Sequence, residues 1–355
     1  MGERRKVLVT GAGGFIGGRA VEMLLQSAEW EVIPTVRRWS TLARIGRHPI
    51  HAVQCDLMNP DQVREAVQGV DSILHCAVGN AAVTVEGTRN LLAAALAAGV
   101  RRVVHFSTVD VYGRAGGVVD EEQALLETGR EYGDSKIEAE KVCLEFVEKG
   151  LEVTILRPTI VYGPFSDLWT VEPALRLGMR NWLLPVEACQ GTCNLVYVDD
   201  LVRASVLALD APGVVGRAYN VNGPDRPTWH QYVEALRVRL SLPEQPQTTM
   251  GRGKITTTLV DPARNLIKFV FFTFEPAVMK VYQSSRMART LMKGVQSTLR
   301  KVPSGAEYDL YGRGGDFPTV RARADLGVEP AVDMENGSDL SAAWIEHTDM
   351  LRSLH

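Results

Sequence analysis

Lys6-Val7-Leu8-Val9-Thr10-Gly11-Ala12-Gly13-Gly14-Phe15-Ile16-Gly17 is the stretch on which the fold turns. Its first five residues form a short apolar, β-branched run, the pattern of a buried strand. Glycines 11, 14 and 17 follow at every third position, and Gly18–Ser27 then reads as a helix. A strand, a Gly-rich turn and a helix in that order make a frame for phosphate. The first glycine allows a tight turn, the second lets a pyrophosphate approach the backbone, and the third lets helix pack closely on strand. The helix N-terminus offers free N–H groups and the positive end of its dipole. The plainer alternative, a Gly-rich turn without a ligand, does not need this frame. The stretch therefore predicts dinucleotide binding through Gly11, Gly14, Phe15, Ile16 and Gly17.

Outward from it, short β-branched runs alternate with longer Ala/Leu-rich segments. Trp30–Val36, Ile50–Cys55, Val70–His75, Arg102–Ser107 and Leu151–Leu156 read as strands. Val85–Ala98, closed by Gly99, and Tyr132–Lys149, ended by Gly150, read as helices. Parallel strands need crossovers, so the alternation predicts a doubly wound α/β fold with a parallel sheet covered on both faces. After Pro158 the rhythm breaks, and Asn194–Val198 and Ala218–Val221 read as strands returning to the sheet. The expected organisation is a dinucleotide-binding lobe over 1–165, completed by about 194–222. A smaller, mostly helical, substrate-binding C-terminal lobe is expected from 166–193 and 223–355.

The chain has 355 residues, 45% of them hydrophobic and 23% charged, which excludes a disordered chain. Its 39 basic and 42 acidic residues leave a net charge of −3, without global attraction to nucleic acid. The five cysteines form no CxxC pair, and no cysteine–histidine cluster completes a zinc site, so no metal is expected. Met1–Lys6 leads directly into a strand and does not read as a signal peptide; no run of 18 apolar residues follows. A cytoplasmic location is expected.

Dinucleotide sites carry an acid for the ribose hydroxyls about 20 residues beyond the glycines. Here the second strand ends in Val36-Arg37-Arg38. A guanidinium suits a 2′-phosphate, so Arg37 predicts NADP in preference to NAD. Asp56 and Leu57, after the third strand, are candidates for the adenine. Further on, Tyr132 and Lys136 in Tyr132-Gly-Asp-Ser-Lys136 share one face of a helix. An adjacent ammonium lowers a phenol's pKa and makes it a usable acid or base. Ser107-Thr108-Val109-Asp110-Val111-Tyr112-Gly113 begins at the end of the fifth strand, where open α/β sheets bind ligands.

With these pieces in place the chain resembles an extended short-chain dehydrogenase/reductase, the superfamily that includes nucleotide-sugar epimerases and dehydratases. The resemblance rests on TGAGGFIG (10–17), CDL (55–57), HCA (75–77), VEGTRNLL (85–92), FSTVDVYG (106–113), YGDSK (132–136), LRPTIVYGP (156–164), VYVDDL (196–201) and YNVNGP (219–224). It implies a Rossmann-type fold, Tyr132 as catalytic acid/base, Lys136 on the nicotinamide ribose, and Thr108 on the substrate oxygen. Ala77 and Pro158 would line the cofactor. It further implies hydride transfer to or from a carbinol carbon, and a homodimer built on helices of the dinucleotide lobe.

Some positions depart from the pattern. Dehydratases of the family follow the Thr with an Asp-Glu pair, whereas Val109 and Asp110 stand here. That leaves a nucleotide-sugar epimerase or ketoreductase as the leading expectation. The segment 251–304 is also unusual. It is basic, carries Ile267-Lys-Phe-Val-Phe-Phe-Thr-Phe274, and then places Met287, Leu291, Val295 and Leu299 at every fourth position. Such a segment fits an inserted helical pair or, through 267–301, contact with an anionic membrane surface. A second expectation is therefore an NADP-dependent dehydrogenase or reductase of apolar, hydroxysteroid-like alcohols and ketones. A third, a non-catalytic dinucleotide-sensing protein, has no need of Thr108, Tyr132 and Lys136 together.

Overall fold

The structure, a computed structural model, describes residues 4–179, 182–246, 248–273, 294, 299 and 301–354. The chain forms two compact units. The first comprises Met1–Tyr162, Asn194–Asp225 and Gly315–Asp333, and the second Gly163–Cys193, Arg226–Gly314 and Met334–His355.

The strands of the first unit are β1 (Arg5–Thr10), β2 (Trp30–Val36), β3 (Val53–Gln54), β4 (Ser72–His75), β5 (Arg102–Phe106), β6 (Gly117–Val118), β7 (Glu152–Pro158), β8 (Ile160–Tyr162), β9 (Leu195–Tyr197), β10 (Ala218–Val221) and β11 (Gly315–Asp316). Seven of them form one parallel sheet in the order β10-β7-β5-β4-β1-β2-β3. Strand order reverses between β1 and β4. A crevice outside the carboxyl ends of those two strands is where such sheets take ligands. This is the Rossmann-type sheet that the sequence predicts.

Helices α1 (Phe15–Leu24), α2 (Pro60–Ala66), α3 (Ala81–Ala98) and α4 (Glu131–Glu148) belong to the same unit. Successive strand residues face opposite ways, so both faces of the sheet must be covered. Leu8, Ile73, Val103 and Val153 pack against Leu91, Leu92, Ala95, Val142 and Phe146 in one buried cluster.

Several boundaries differ from the sequence reading, each for a local reason. Helix α1 starts at Phe15, with Gly14 as its N-cap, because the buried Gly17 and Gly18 are helical despite their low propensity. Helix α3 starts at Ala81, where the Asn80 side chain accepts a 3.0 Å bond from Val83 N. Strand β3 keeps only two residues. Helix α2, which the sequence reading did not single out, is set by Pro60 in its first turn and by the Asn59 cap.

In the second unit, α5 (Glu172–Gly178), α7 (Trp229–Arg239), α8 (Met250–Thr273), α9 (Gly305–Tyr311) and α11 (Met334–His347) make a largely helical body; α6 (Val198–Ala208) and α10 (Val320–Leu326) belong to the first. Trp229 lies between Trp169 and Tyr311, with ring centroids 5.7 and 4.7 Å away. Thr228 with Gln231 and Ser304 with Glu307 form capping boxes at the starts of α7 and α9. Of the unusual segment, Met287, Leu291 and Val295 lie outside the described residues. Among the described residues no helix is long and apolar enough to cross a membrane.

Candidate active site

The site is assembled at the carboxyl ends of β1, β4 and β5. Thr10 and His75 are register partners on β1 and β4. The Thr88 hydroxyl gives its proton to the Thr84 carbonyl at 2.6 Å, so it accepts from His75 Nε2–H at 3.0 Å. That leaves Nδ1 as the acceptor for the Thr10 hydroxyl at 2.8 Å. Thr10 Oγ1 also receives the Ala77 amide at 3.2 Å. Burial holds His75 down to about pKa 3, with Lys136 adding to the effect, so the imidazole stays neutral and ties the two strand ends together.

The glycine loop lies directly above. Gly11 has φ +66°, and a Cβ there would sit 2.8 Å from the backbone of Ala77. A Cβ on Gly17 would lie 2.4 Å from the Gly11 carbonyl. At Gly14 a Cβ would meet only the Gly11 carbonyl, at 3.2 Å. Gly11 and Gly17 thus close the turn against neighbouring backbone, and Gly14 is the position left open at the N-terminus of α1. Phe15 and Ile16 form the first turn of that helix. This loop, with its open glycine at a helix start, fits a dinucleotide pyrophosphate.

The other cofactor candidates scatter around this loop. Asp56 Oδ1 caps its own turn by accepting from Met58 N at 3.0 Å. Leu57 is buried, and its carbonyl accepts from Asn90 at 2.9 Å. Pro158 closes β7. Arg37 is exposed. The guanidinium that the fold pins beside the loop is Arg44, which donates to the Phe15 carbonyl at 3.1 Å and to Glu22 at 2.8 and 2.9 Å. Sequence reading passed over Arg44, since its partners are distant in the chain.

Thr108, Tyr132 and Lys136 converge at the end of β5. Thr108 caps a 3-10 turn, Val109–Tyr112, its Oγ1 accepting from Asp110 N at 3.2 Å and keeping its own proton to donate. Tyr132 is 48% exposed. The burial it does have raises its pKa, Asp110 adds to the rise, and a hydrogen bond from Thr108 works the other way. The phenol expected to be lowered by Lys136 therefore sits above its ordinary value. Lys136 is 4% exposed and donates from Nζ to the Phe106 carbonyl at 2.6 Å. Burial lowers it to about 8, against weaker upward pulls from Cys143, Cys76 and Glu140.

Asp199 and Asp200 open α6. Asp199 pairs with Arg19, and Asp200 holds Arg203 and the Ala331 and Val332 amides. A separate cavity of about 290 Å³ lies within the second unit, against Trp182, Val233 and Pro246. Its lining contains none of the residues above.

A sequence profile of the NAD dependent epimerase/dehydratase family matches residues 7–222. The chain belongs to that family, whose members are NAD(P)-dependent oxidoreductases and epimerases acting at a carbinol carbon. Among curated relatives, it is 33% identical to sterol demethylase protein B of Methylococcus capsulatus, over 61% of this chain and 69% of that one. It is 30% identical to dihydroflavonol 4-reductase of Zea mays, over 70% and 78%. Among solved structures, UDP-glucuronic acid 4-epimerase from Bacillus cereus in complex with NAD shares its fold with a TM-score of 0.71, at 18% identity over 97% of this chain and 99% of that chain. dTDP-glucose 4,6-dehydratase from Bacillus anthracis in complex with NAD gives 0.73, at 20% identity over 99% and 100%. These findings overturn the expectation of NADP: the family is described as NAD dependent, and both solved relatives hold NAD. The physical reason is that Arg37, on which that expectation rested, is an exposed side chain at the end of β2, and residue type there does not reveal where a guanidinium points.

Proposed function

We propose that this chain carries out NAD-dependent hydride transfer at a secondary carbinol carbon, with Tyr132, Thr108 and Lys136 as its working residues. The observation that carries the reading is the meeting of the Thr108 and Tyr132 side chains at the end of β5, with the buried Lys136 ammonium one helical turn further along α4. The loop from Gly11 to Gly17, with Asp56, Leu57, Ala77 and Pro158, would hold NAD, which would supply the hydride acceptor. Tyr132 takes the carbinol proton at its phenolic oxygen. Thr108 donates a hydrogen bond to the same substrate oxygen and holds it in place. Lys136, one helical turn further along α4 and bound to the Phe106 carbonyl, anchors the helix that carries the phenol.

A nucleotide sugar is the substrate in the leading version of this reading, supported by the fold shared along nearly the whole chain with enzymes of UDP- and dTDP-sugars. Val109 and Asp110 lack the Asp-Glu pair of a dehydratase, which leaves epimerisation or ketone reduction. A second version, an apolar alcohol or ketone, is supported by the names of the relatives nearer in sequence, a sterol demethylase protein and a dihydroflavonol reductase.

One experiment tests both. The purified chain with NAD is offered UDP-glucose, UDP-glucuronic acid, a 3β-hydroxysteroid and a flavanol. NADH formation is followed by absorbance and C4 epimers by NMR. Turnover of a UDP-sugar that is lost in Tyr132→Phe supports the leading version, and turnover of the apolar alcohols alone supports the second. Turnover that survives Tyr132→Phe defeats the assignment of the acid/base.

A further inference from the structure

Beneath the candidate site a polar network runs through the interior of the first unit. Glu140 is on α4, four residues after Lys136 and eight after Tyr132, so the three follow one stripe of the helix, about 6 Å of rise apart. Glu140 and Arg157 form a bidentate ion pair, Nε to Oε1 at 3.0 Å and Nη2 to Oε2 at 2.6 Å, with side chains only 3% and 7% exposed. Glu140 Oε1 also accepts the Ser107 hydroxyl at 2.5 Å. Arg157 Nη1 donates to the Tyr112 hydroxyl at 2.8 Å, and that hydroxyl donates to Asn220 Oδ1 at 2.8 Å. The network thus joins α4 to β7, to β10, to the residue beside Thr108, and to the last residue of the turn that Thr108 caps.

We infer that Glu140 and Arg157 are positioning residues: their buried pair sets the register of α4 against the end of β5 and so holds Tyr132 opposite Thr108. This rests on the reading of Tyr132 given above. Two successive turns of α4 are tied to two successive residues of the β5 end, Lys136 to the Phe106 carbonyl and Glu140 to the Ser107 hydroxyl. One tie alone lets the helix pivot about it; two fix both its rotation and its height. Arg157 adds a third point from the neighbouring strand, and Ser107 N is itself bound to the Leu156 carbonyl at 2.7 Å, beside Arg157. Fold stability alone does not require charge here, since a buried ion pair is commonly no more stabilising than apolar residues of the same volume.

The test reads Tyr132 directly, through the tyrosinate absorbance of each protein minus that of its Tyr132→Phe counterpart, in the full chain across a pH titration. The groups acting on this phenol are Asp110 on the 3-10 turn and the Thr108 hydroxyl; Lys136, one helical turn further along α4, is itself surrounded by Cys76, Cys143, Glu140, His75 and His105. Glu140→Gln alone leaves the Arg157 charge buried and uncompensated, so the informative protein is the double variant Glu140→Gln with Arg157→Met, which removes both charges. The expected result is a melting temperature close to wild type with the Tyr132 midpoint moved up, because the Thr108 hydrogen bond that favours the phenolate is lost. The phenolate fraction at fixed pH falls about threefold or more. A folded double variant whose Tyr132 titrates as in wild type overturns the inference. If the double variant does not fold, Ser107→Ala, which cuts one hydroxyl link, is read the same way and with the same overturning result. Retained turnover in Tyr132→Phe defeats the functional reading and leaves this inference standing. An unmoved midpoint with turnover still abolished by Tyr132→Phe defeats only this inference.

Discussion

The Lys136 ammonium donates to the Phe106 carbonyl across 2.6 Å, joining the last residue of β5 to α4 through a charge that is almost wholly buried. That carbonyl belongs to the residue paired with Leu156 at the end of the β5–β7 ladder. The ammonium in turn bears a desolvation cost that lowers it from 10.5 to about 8.

The linkage follows with a definite sign. Below about pH 8 the lysine is charged folded and unfolded, and the fold carries the full cost of the buried charge. Between about 8 and 10.5 the folded chain has released a proton that the unfolded chain still holds, so stability rises with pH. Wild type should therefore gain on Lys136→Met across that window, by about 3 kcal/mol at most, and the gap should be flat below it. Urea denaturation from pH 7 to pH 10 measures this, and a constant gap throughout would show that the lysine is not desolvated.

Tyr132→Phe should lower turnover by about 10²–10⁴-fold while leaving NAD affinity nearly unchanged, since it removes one acid/base group. Thr108→Val should have a smaller effect and should move the Tyr132 titration upward, because it deletes the hydrogen bond that favours the phenolate. Steady-state kinetics, paired with fluorescence titration of NADH, separates the two variants.

NAD should bind more tightly than NADP, and Arg37→Ala should change NAD affinity by less than about threefold, as expected of an exposed side chain. Calorimetric titration of both dinucleotides checks this. A large loss of NAD binding in the variant would place Arg37 in the site after all.

Glycine substitutions should divide by mechanism. Gly17→Ala drives a methyl into the Gly11 carbonyl and should destabilise the fold by about 2–4 kcal/mol. Gly14→Ala meets one neighbour at 3.2 Å and should change stability much less, yet weaken NAD binding at least about tenfold by occupying the open position of the loop. Thermal melts with and without NAD report both quantities.

His105 is buried beside His75, with ring centroids 5.2 Å apart, and neither of its ring nitrogens finds a hydrogen-bond partner among the described residues. Burial, then Lys136 and His75, keep its pKa well below 6.5. The unfolded chain therefore binds a proton that the folded chain refuses, and stability falls as pH drops below 6.5. In His105→Leu that decline should be shallower, as measured by denaturant midpoints at neutral pH and at pH 5.

Local signals carried the sheet and the centre of the site. Thr10 to Gly17 is contiguous, and Tyr132 and Lys136 are separated by one helical turn, so their placement is legible in short windows of sequence. Relationships across the chain are not. Glu140 and Arg157 read singly as a helix-surface acid and a strand-end base, and nothing local says that they meet in the interior. Arg37 and Arg44 differ little as residues, but the fold ties Arg44 to Glu22 and leaves Arg37 exposed. The Tyr132 phenol has a neighbouring lysine in sequence, yet partial burial and Asp110 raise it. The return of Gly315–Asp333 to the first unit likewise leaves no mark in composition.

That late return bears on how the protein is made. Asp200, Asn194 and Asn222 are buried, and they find partners in the backbone of Ala331 and Val332, Gly315 and Phe317 respectively. On a ribosome adding about 5–20 residues per second, these side chains emerge several seconds before the segment that satisfies them. The dinucleotide unit is therefore completed only once Gly315–Asp333 has been made. A chain interrupted before Gly315 would display the glycine loop and Tyr132 on a scaffold with unmet polar groups, a form for chaperones and proteases to recognise.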